Sequence, residues 1–191
     1  MSGEIIRQGD PTSHGGTVLE GSLMVVLVMA LAGNCAAACA DVKSIGNFSN
    51  FQWTSDSAPH LVEGYTVSLF KCESGMFGDV KVATGSSEPV RARLYELELD
   101  NKTGRLSFRA KYSDGHESSK AIGPGGREAR ILLSFFGSLT KNSLTGVFIL
   151  KDAYANGRPD AIHRQVLTRD EAIWVPKSDV EFEEAYPAPP W

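Results

Sequence analysis

A chain of 191 residues with 42% hydrophobic and 22% charged residues has the composition of a folded protein, which excludes wholesale disorder. Its formal net charge of -4 comes with no long basic run and no arginine/lysine stripe between aromatics, so no nucleic-acid partner is expected. Its three cysteines, Cys35, Cys39 and Cys72, make no C-x-x-C pair, which argues against a structural zinc site built from thiolates.

The composition changes twice along the chain. Residues 1–22 are polar and glycine-rich, residues 23–40 are apolar, and residues 41–191 carry a mixed pattern punctuated by turns. Residues 5–22 read IIRQGDPTSHGGTVLEGS. Within them Gly9, Asp10, Thr12, Ser13, His14, Gly15, Gly16 and Gly21 fall in one ungapped block that resembles the opening of PAAR-domain proteins, the spike tips of type VI secretion systems in Gram-negative bacteria. The resemblance implies a small conical β-structure, a zinc ion near its apex with His14 as a ligand, and the spike protein as partner. The later Gly-Asp turns and Cys-Pro segment of that family do not follow. Residues 1–22 therefore read as a truncated PAAR-like segment, short and flexible.

The next stretch, LMVVLVMALAGNCAAACA, has an uncharged core from Leu23 to Ala32 of the length of a signal-peptide h-region. Ala38-Cys39-Ala40 suits a signal peptidase, so cleavage after Ala40 is one expectation, with translation starting near Met24 and Asp41 as the first mature residue. As a helix the stretch would reach about 27 Å, short for a bilayer span, so membrane association through residues 23–40 is a second expectation. A buried hydrophobic helix is the third. Lipidation at Cys35 or Cys39 is a minor option, since Asn34 interrupts Leu31-Ala32-Gly33 before Cys35. Removal of the stretch would leave Cys72 without an internal partner.

Beyond it the pattern is that of strands. Val62 to Lys71 alternates and is rich in β-branched residues, and Asp79 to Thr84 is short and alternating. Pro89 to Asp100 alternates with a slip near Tyr95. It joins Arg105 to Tyr112 through Asn101-Lys102-Thr103-Gly104, the signature of a hairpin. Ser113-Asp114-Gly115 reads as a turn before a weaker strand through Ile122, and Gly123-Pro124-Gly125-Gly126 as another turn. Arg130 to Leu139 and Leu144 to Asp152 form a second hairpin. ILLSFF within it is either buried on both faces or carries one large outer residue. Pro176 to Trp191 predicts a short helix and an extended tail whose Trp191 packs on the sheet or docks a partner. Turns at this spacing predict a mainly β domain, an antiparallel sandwich or barrel, over residues 41–191.

No catalytic constellation emerges, and neither does a cofactor motif. His14, His60, His116 and His163 are scattered, with no H-E-x-x-H spacing and no G-x-S-x-G elbow. Gly123 to Arg127 lacks the Lys-Ser/Thr of a phosphate loop, and Cys72 sits in a strand as an inert thiol. His116-Glu117 is expected as an exposed surface pair. The expectation is a type VI secretion-associated, PAAR-like chain carrying an exported, non-catalytic β domain, periplasmic or secreted, or else anchored in the inner membrane. The alternative is a periplasmic immunity or ligand-binding protein whose true start is near Met24, with a cognate toxin as the partner of the immunity reading.

Overall fold

The computed structural model describes Cys39 and residues 41–54, 61–86, 88–117, 122–155, 158–171 and 174–191. The PAAR-like block with His14, the apolar core of residues 23–32, Ala40 and His60 lie outside the described residues.

Among the described residues nine strands follow one another: β1 (Lys43–Ser49), β2 (Gln52–Trp53), β3 (Val62–Cys72), β4 (Gly75–Ser86), β5 (Val90–Leu99), β6 (Arg105–Glu117), β7 (Arg127–Leu139), β8 (Ser143–Asp152) and β9 (Ala161–Asp170). A helix, α1 (Asp179–Ala185), comes after them. From β3 to β9 each strand pairs antiparallel with the next. β1 pairs with β3 on one side, through Phe48 opposite Val67, and with β9 on the other, through Phe48 opposite Arg169. That double pairing closes eight strands into an up-and-down antiparallel barrel, with the two-residue β2 added to β3. Closure leaves no unpaired edge along the meander, which is how an all-β chain of this kind avoids edge-to-edge association. The fold is thus a barrel and not a sandwich.

Both hairpins form. Asp100 anchors the first turn by accepting the amide of Lys102 at 2.8 Å and the hydroxyl of Thr103 at 2.7 Å. In the second, Thr140 and Ser143 close the turn. The slip near Tyr95 is a bulge: the register shifts between Tyr95 and Glu98, and Glu96 takes φ +49°. Ser113-Asp114-Gly115 is not a turn. β6 continues through it, and the register shift against β7 between Ser113 and His116 makes it a second bulge, with Gly115 at φ +68°. An Asp-Gly pair supplies the left-handed backbone that either a hairpin turn or a bulge needs, so the sequence does not separate the two.

Eight strands leave an interior that side chains can fill. Phe48, Val67, Leu69, Val80, Leu94, Leu106, Phe108, Leu133, Phe135, Leu144, Phe148 and Leu167 are all buried there. Phe108 and Phe135 stack at 4.8 Å, and Phe148 packs on Phe135 at 4.8 Å. Gly137 and Gly146 face each other across β7 and β8, and a Cβ on either would lie 2.5 Å from the tip of the Phe135 ring. The ring occupies the space that these two residues leave. Along ILLSFF, Leu133 and Phe135 point inward while Phe136 is 54% exposed, so this strand carries one large outer residue.

The chain after β9 straps the outside of the barrel. Ser178 caps α1 by accepting the Glu181 amide at 3.0 Å. Phe182 is fully buried against Phe70 and Phe77, outward residues of β3 and β4, and against Trp174 and Tyr186. Burying such a ring stabilises by about 2–3 kcal/mol. The extended tail ends with Trp191 between Lys111 and Arg130, and Lys111 donates to its carbonyl oxygen at 3.1 Å. The tail is therefore tied down on the sheet.

A disulfide joins Cys39 to Cys72, with Cα atoms 6.0 Å apart. Cys72 is neither alone nor a free thiol, and cleavage after Ala40 would remove its partner. The Cys39 amide also donates to Asp179 at 2.8 Å, linking this point to the start of α1. Both thiols are committed to the bond. The proximity of Cys39, Cys72 and Asp179 thus offers no thiolate to a metal, and Cys39 has no thiol left for a lipid.

Candidate functional site

One mouth of the barrel opens into a cleft of about 450 Å³. It lies where β3 and β9 begin and where β4 and the segment after β1 end. Its wall includes Asn50, Glu63, Tyr65, Thr84, His163 and Gln165. Alternation along each strand directs these side chains inward: Tyr65 precedes the core residues Val67 and Leu69, and His163 and Gln165 precede Leu167. The mouth is the polar end of the apolar interior.

A backbone irregularity aims the residues at the start of β3. The register against β4 shifts between Val62 and Glu63, and Gly64 has φ +120°. A side chain at Gly64 would strain that backbone and would set a Cβ 2.8 Å from the Asn50 carbonyl oxygen. The bulge brings Glu63 and Tyr65 to the same opening, a common use of bulges at barrel rims.

Tyr65 forms the floor. Its ring stacks on Phe148 at 4.1 Å and 10° between planes. Its hydroxyl meets His163 Nδ1 at 2.5 Å. Burial pushes the phenol up to about 12, so near neutrality it stays protonated. A neutral phenol can donate or accept, so the direction of this bond follows the imidazole tautomer, and Nε2 is the ring nitrogen left facing the cleft. Asn50 is fully used: its Oδ1 accepts the Tyr65 amide at 2.8 Å, and its Nδ2 donates to Gln165 Oε1 at 2.7 Å. Thr84 donates to Asp114 at 3.3 Å. Four groups remain without a hydrogen-bond partner among the described residues: the Nε2 of His163, the amide nitrogen of Gln165, the carboxylate of Glu63 and the side-chain amide of Gln52. The Gln165 nitrogen is a donor, the Glu63 carboxylate an acceptor, the Gln52 amide offers both, and His163 Nε2 serves as either according to its tautomer.

A phenol held near 12 is a poor acid and a poor nucleophile close to neutral pH.

The remaining candidates from the sequence fall elsewhere. His116 is exposed at the end of β6. Its neighbour Glu117 is not a surface partner for it: the carboxylate is mostly buried and pairs with Arg127 at 2.6 Å and Arg158 at 3.1 Å. Gly123 to Gly126 form the connection between β6 and β7. Neither His163 nor Tyr65 was marked by any motif.

Comparison of the chain with family models, curated proteins and solved structures finds no match to any of them.

Proposed function

We propose that the barrel is an exported, non-catalytic binding domain that holds a small polar molecule in its mouth. The observation that carries this reading is the set of unpartnered groups, among them His163 Nε2, Gln165 Nε2 and Glu63, around one 450 Å³ cleft. The Gln165 donor opposite the Glu63 carboxylate, with His163 Nε2 able to serve either way, complements a ligand with an acceptor end and a donor end, such as an amino acid or an amide. The cleft volume falls within the range of small-molecule sites. The Cys39–Cys72 disulfide supports an oxidising compartment, periplasmic or extracellular, because such bonds persist there and are rare in the cytosol.

The test is a thermal-shift screen of the purified chain with the standard amino acids and their amides. At least one compound should raise Tm in the wild type and lose that effect in Gln165→Ala and His163→Ala. If no compound acts, or if both variants respond as the wild type does, the mouth is not the binding site.

The PAAR-like block of residues 5–22 favours a second, compatible reading, in which the chain travels with a type VI secretion apparatus. Deletion of residues 1–22 should then abolish co-purification with the spike protein. Retention of the spike protein by the truncated chain would remove this reading and leave the binding domain untouched.

A further inference from the structure

A second cleft, of about 200 Å³, lies on the opposite surface of β3 and β4, between the outer face of the sheet and the C-terminal strap. Its sheet side carries Asn47, Phe70, Lys81 and Arg91, and its strap side Trp174 and Tyr186.

The charges around it are not all paired. Asp79 is fully buried, and Arg91 donates to its Oδ2 through both Nε and the terminal guanidinium nitrogen. The Arg91 guanidinium also lies flat on the Tyr186 ring, 3.3 Å from its centroid, so its plane is occupied on both counts. Arg93, opposite Asp79 on β5, pairs with Glu183 of the strap. Lys81 follows on the same face of β4 and has no carboxylate within ion-pair distance among the described residues. Arg91 and Arg93 thus each have a carboxylate partner, whereas the Lys81 ammonium acts on Asp79 only from beyond ion-pair distance and has none of its own among the described residues.

The neutral groups favour the same ligand sign. Ser68 donates its hydroxyl to Asn47 Oδ1 at 3.0 Å, which leaves the Asn47 amide nitrogen, a donor, as the free end of that side chain. Phe70, Trp174 and Tyr186 supply apolar and aromatic walls, and Trp174 keeps 38% of its surface exposed. The Lys81 ammonium matches a monoanion, and the walls match a hydrocarbon or planar body better than a hydrated inorganic ion. The volume is below that of sites for drug-sized molecules.

We infer that the cleft between the strap and the outer face of β3–β5 is a binding site for a small organic carboxylate, held by Lys81 and Asn47 and packed on Trp174. It is independent of the mouth, which opens inside the barrel.

Isothermal titration of the full chain with sodium benzoate, benzamide and sodium sulfate tests it. Benzoate should bind saturably at one site, with benzamide and sulfate at least tenfold weaker. Lys81→Met, and separately Lys81→Gln, should weaken benzoate at least tenfold, while Gln165→Ala in the mouth leaves it unchanged. Circular dichroism of each variant confirms that the barrel is intact. Three results would overturn the inference: no saturable benzoate binding, benzamide or sulfate binding as tightly as benzoate, or benzoate affinity unaltered in both folded Lys81 variants. Loss of benzoate binding in Gln165→Ala would overturn it too, by moving the ligand to the mouth.

Discussion

Replacing Cys39 and Cys72 together by serine isolates the contribution of the disulfide. The two residues are 33 apart in sequence, and the bond closes that loop in the unfolded chain. The chain-entropy relation gives a loss of about 12.5 cal/mol/K for a loop of that length, or about 3.7 kcal/mol at 25 °C. The serines retain the room for a hydrogen bond near Ser74, whose amide and hydroxyl now donate to Cys39 Sγ at 3.3 and 3.0 Å, so local packing adds little. Urea unfolding, fitted with a shared slope, should show this loss as a lower midpoint, and Tm should fall by about 7–15 °C for a domain of this size. Reduction of the wild type should reproduce the same change. Thiol titration of the unfolded, unreduced chain should count one thiol, Cys35. A stability loss under about 1 kcal/mol, or three titratable thiols in protein isolated from the periplasm, would refute the reasoning and with it the support for export.

Burial holds the Tyr65 phenol protonated up to about 12, whereas an unfolded tyrosine ionises near 10. The folded state keeps this proton longer, so its stabilisation is complete below pH 10 and is lost as pH rises from 10 to 12, at about 1.4 kcal/mol per pH unit. Tyr65→Phe should flatten that slope by one proton's worth, although Tyr112, also pushed up by burial, keeps part of it; an unchanged slope in alkaline urea titrations counts against a buried phenol. Phe148→Ala removes a fully buried ring that touches Tyr65, Phe108 and Phe135, and should cost about 3–5 kcal/mol in urea unfolding. Gly146→Ala drives a methyl into the Phe135 ring and should cost about 1–3 kcal/mol. Adding Phe135→Leu should make the double variant less unstable than the sum of the two losses, and strict additivity would show that the ring is not the obstacle.

The paired strands in the middle of the chain were legible because their signals are local. Pro89 to Asp100, Arg105 to Tyr112, Arg130 to Leu139 and Leu144 to Asp152 carry the strand pattern, and short polar turns join them within each hairpin. The strands on either side of the barrel seam were not. In β9 the exposed residues are Ile162 and Val166, while the inward ones are His163, Gln165 and Leu167. The usual pattern is inverted there, because the inner face of this strand lines a polar mouth and not the core. β1 is short, and Gly46 and a bulge interrupt its alternation. The same inversion hid the site: a strand that carries binding groups inward reads as loop.

By itself, then, the sequence determined that the chain is mainly β and antiparallel, a sandwich or a barrel, where several of its turns lie, and that its C-terminal end forms a helix and a tail. Those properties rest on side-chain period and turn chemistry, which act over a few residues. Only the tertiary structure decided that the meander closes, that Cys72 has a partner, and which polar residues meet. Tyr65 and His163 are 98 positions apart, and Asn50 and Gln165 are 115 apart. They meet because β1 pairs with both β3 and β9. Backbone hydrogen bonds carry that pairing, every residue but proline can make them, and so closure leaves no mark of its own in the order of the amino acids.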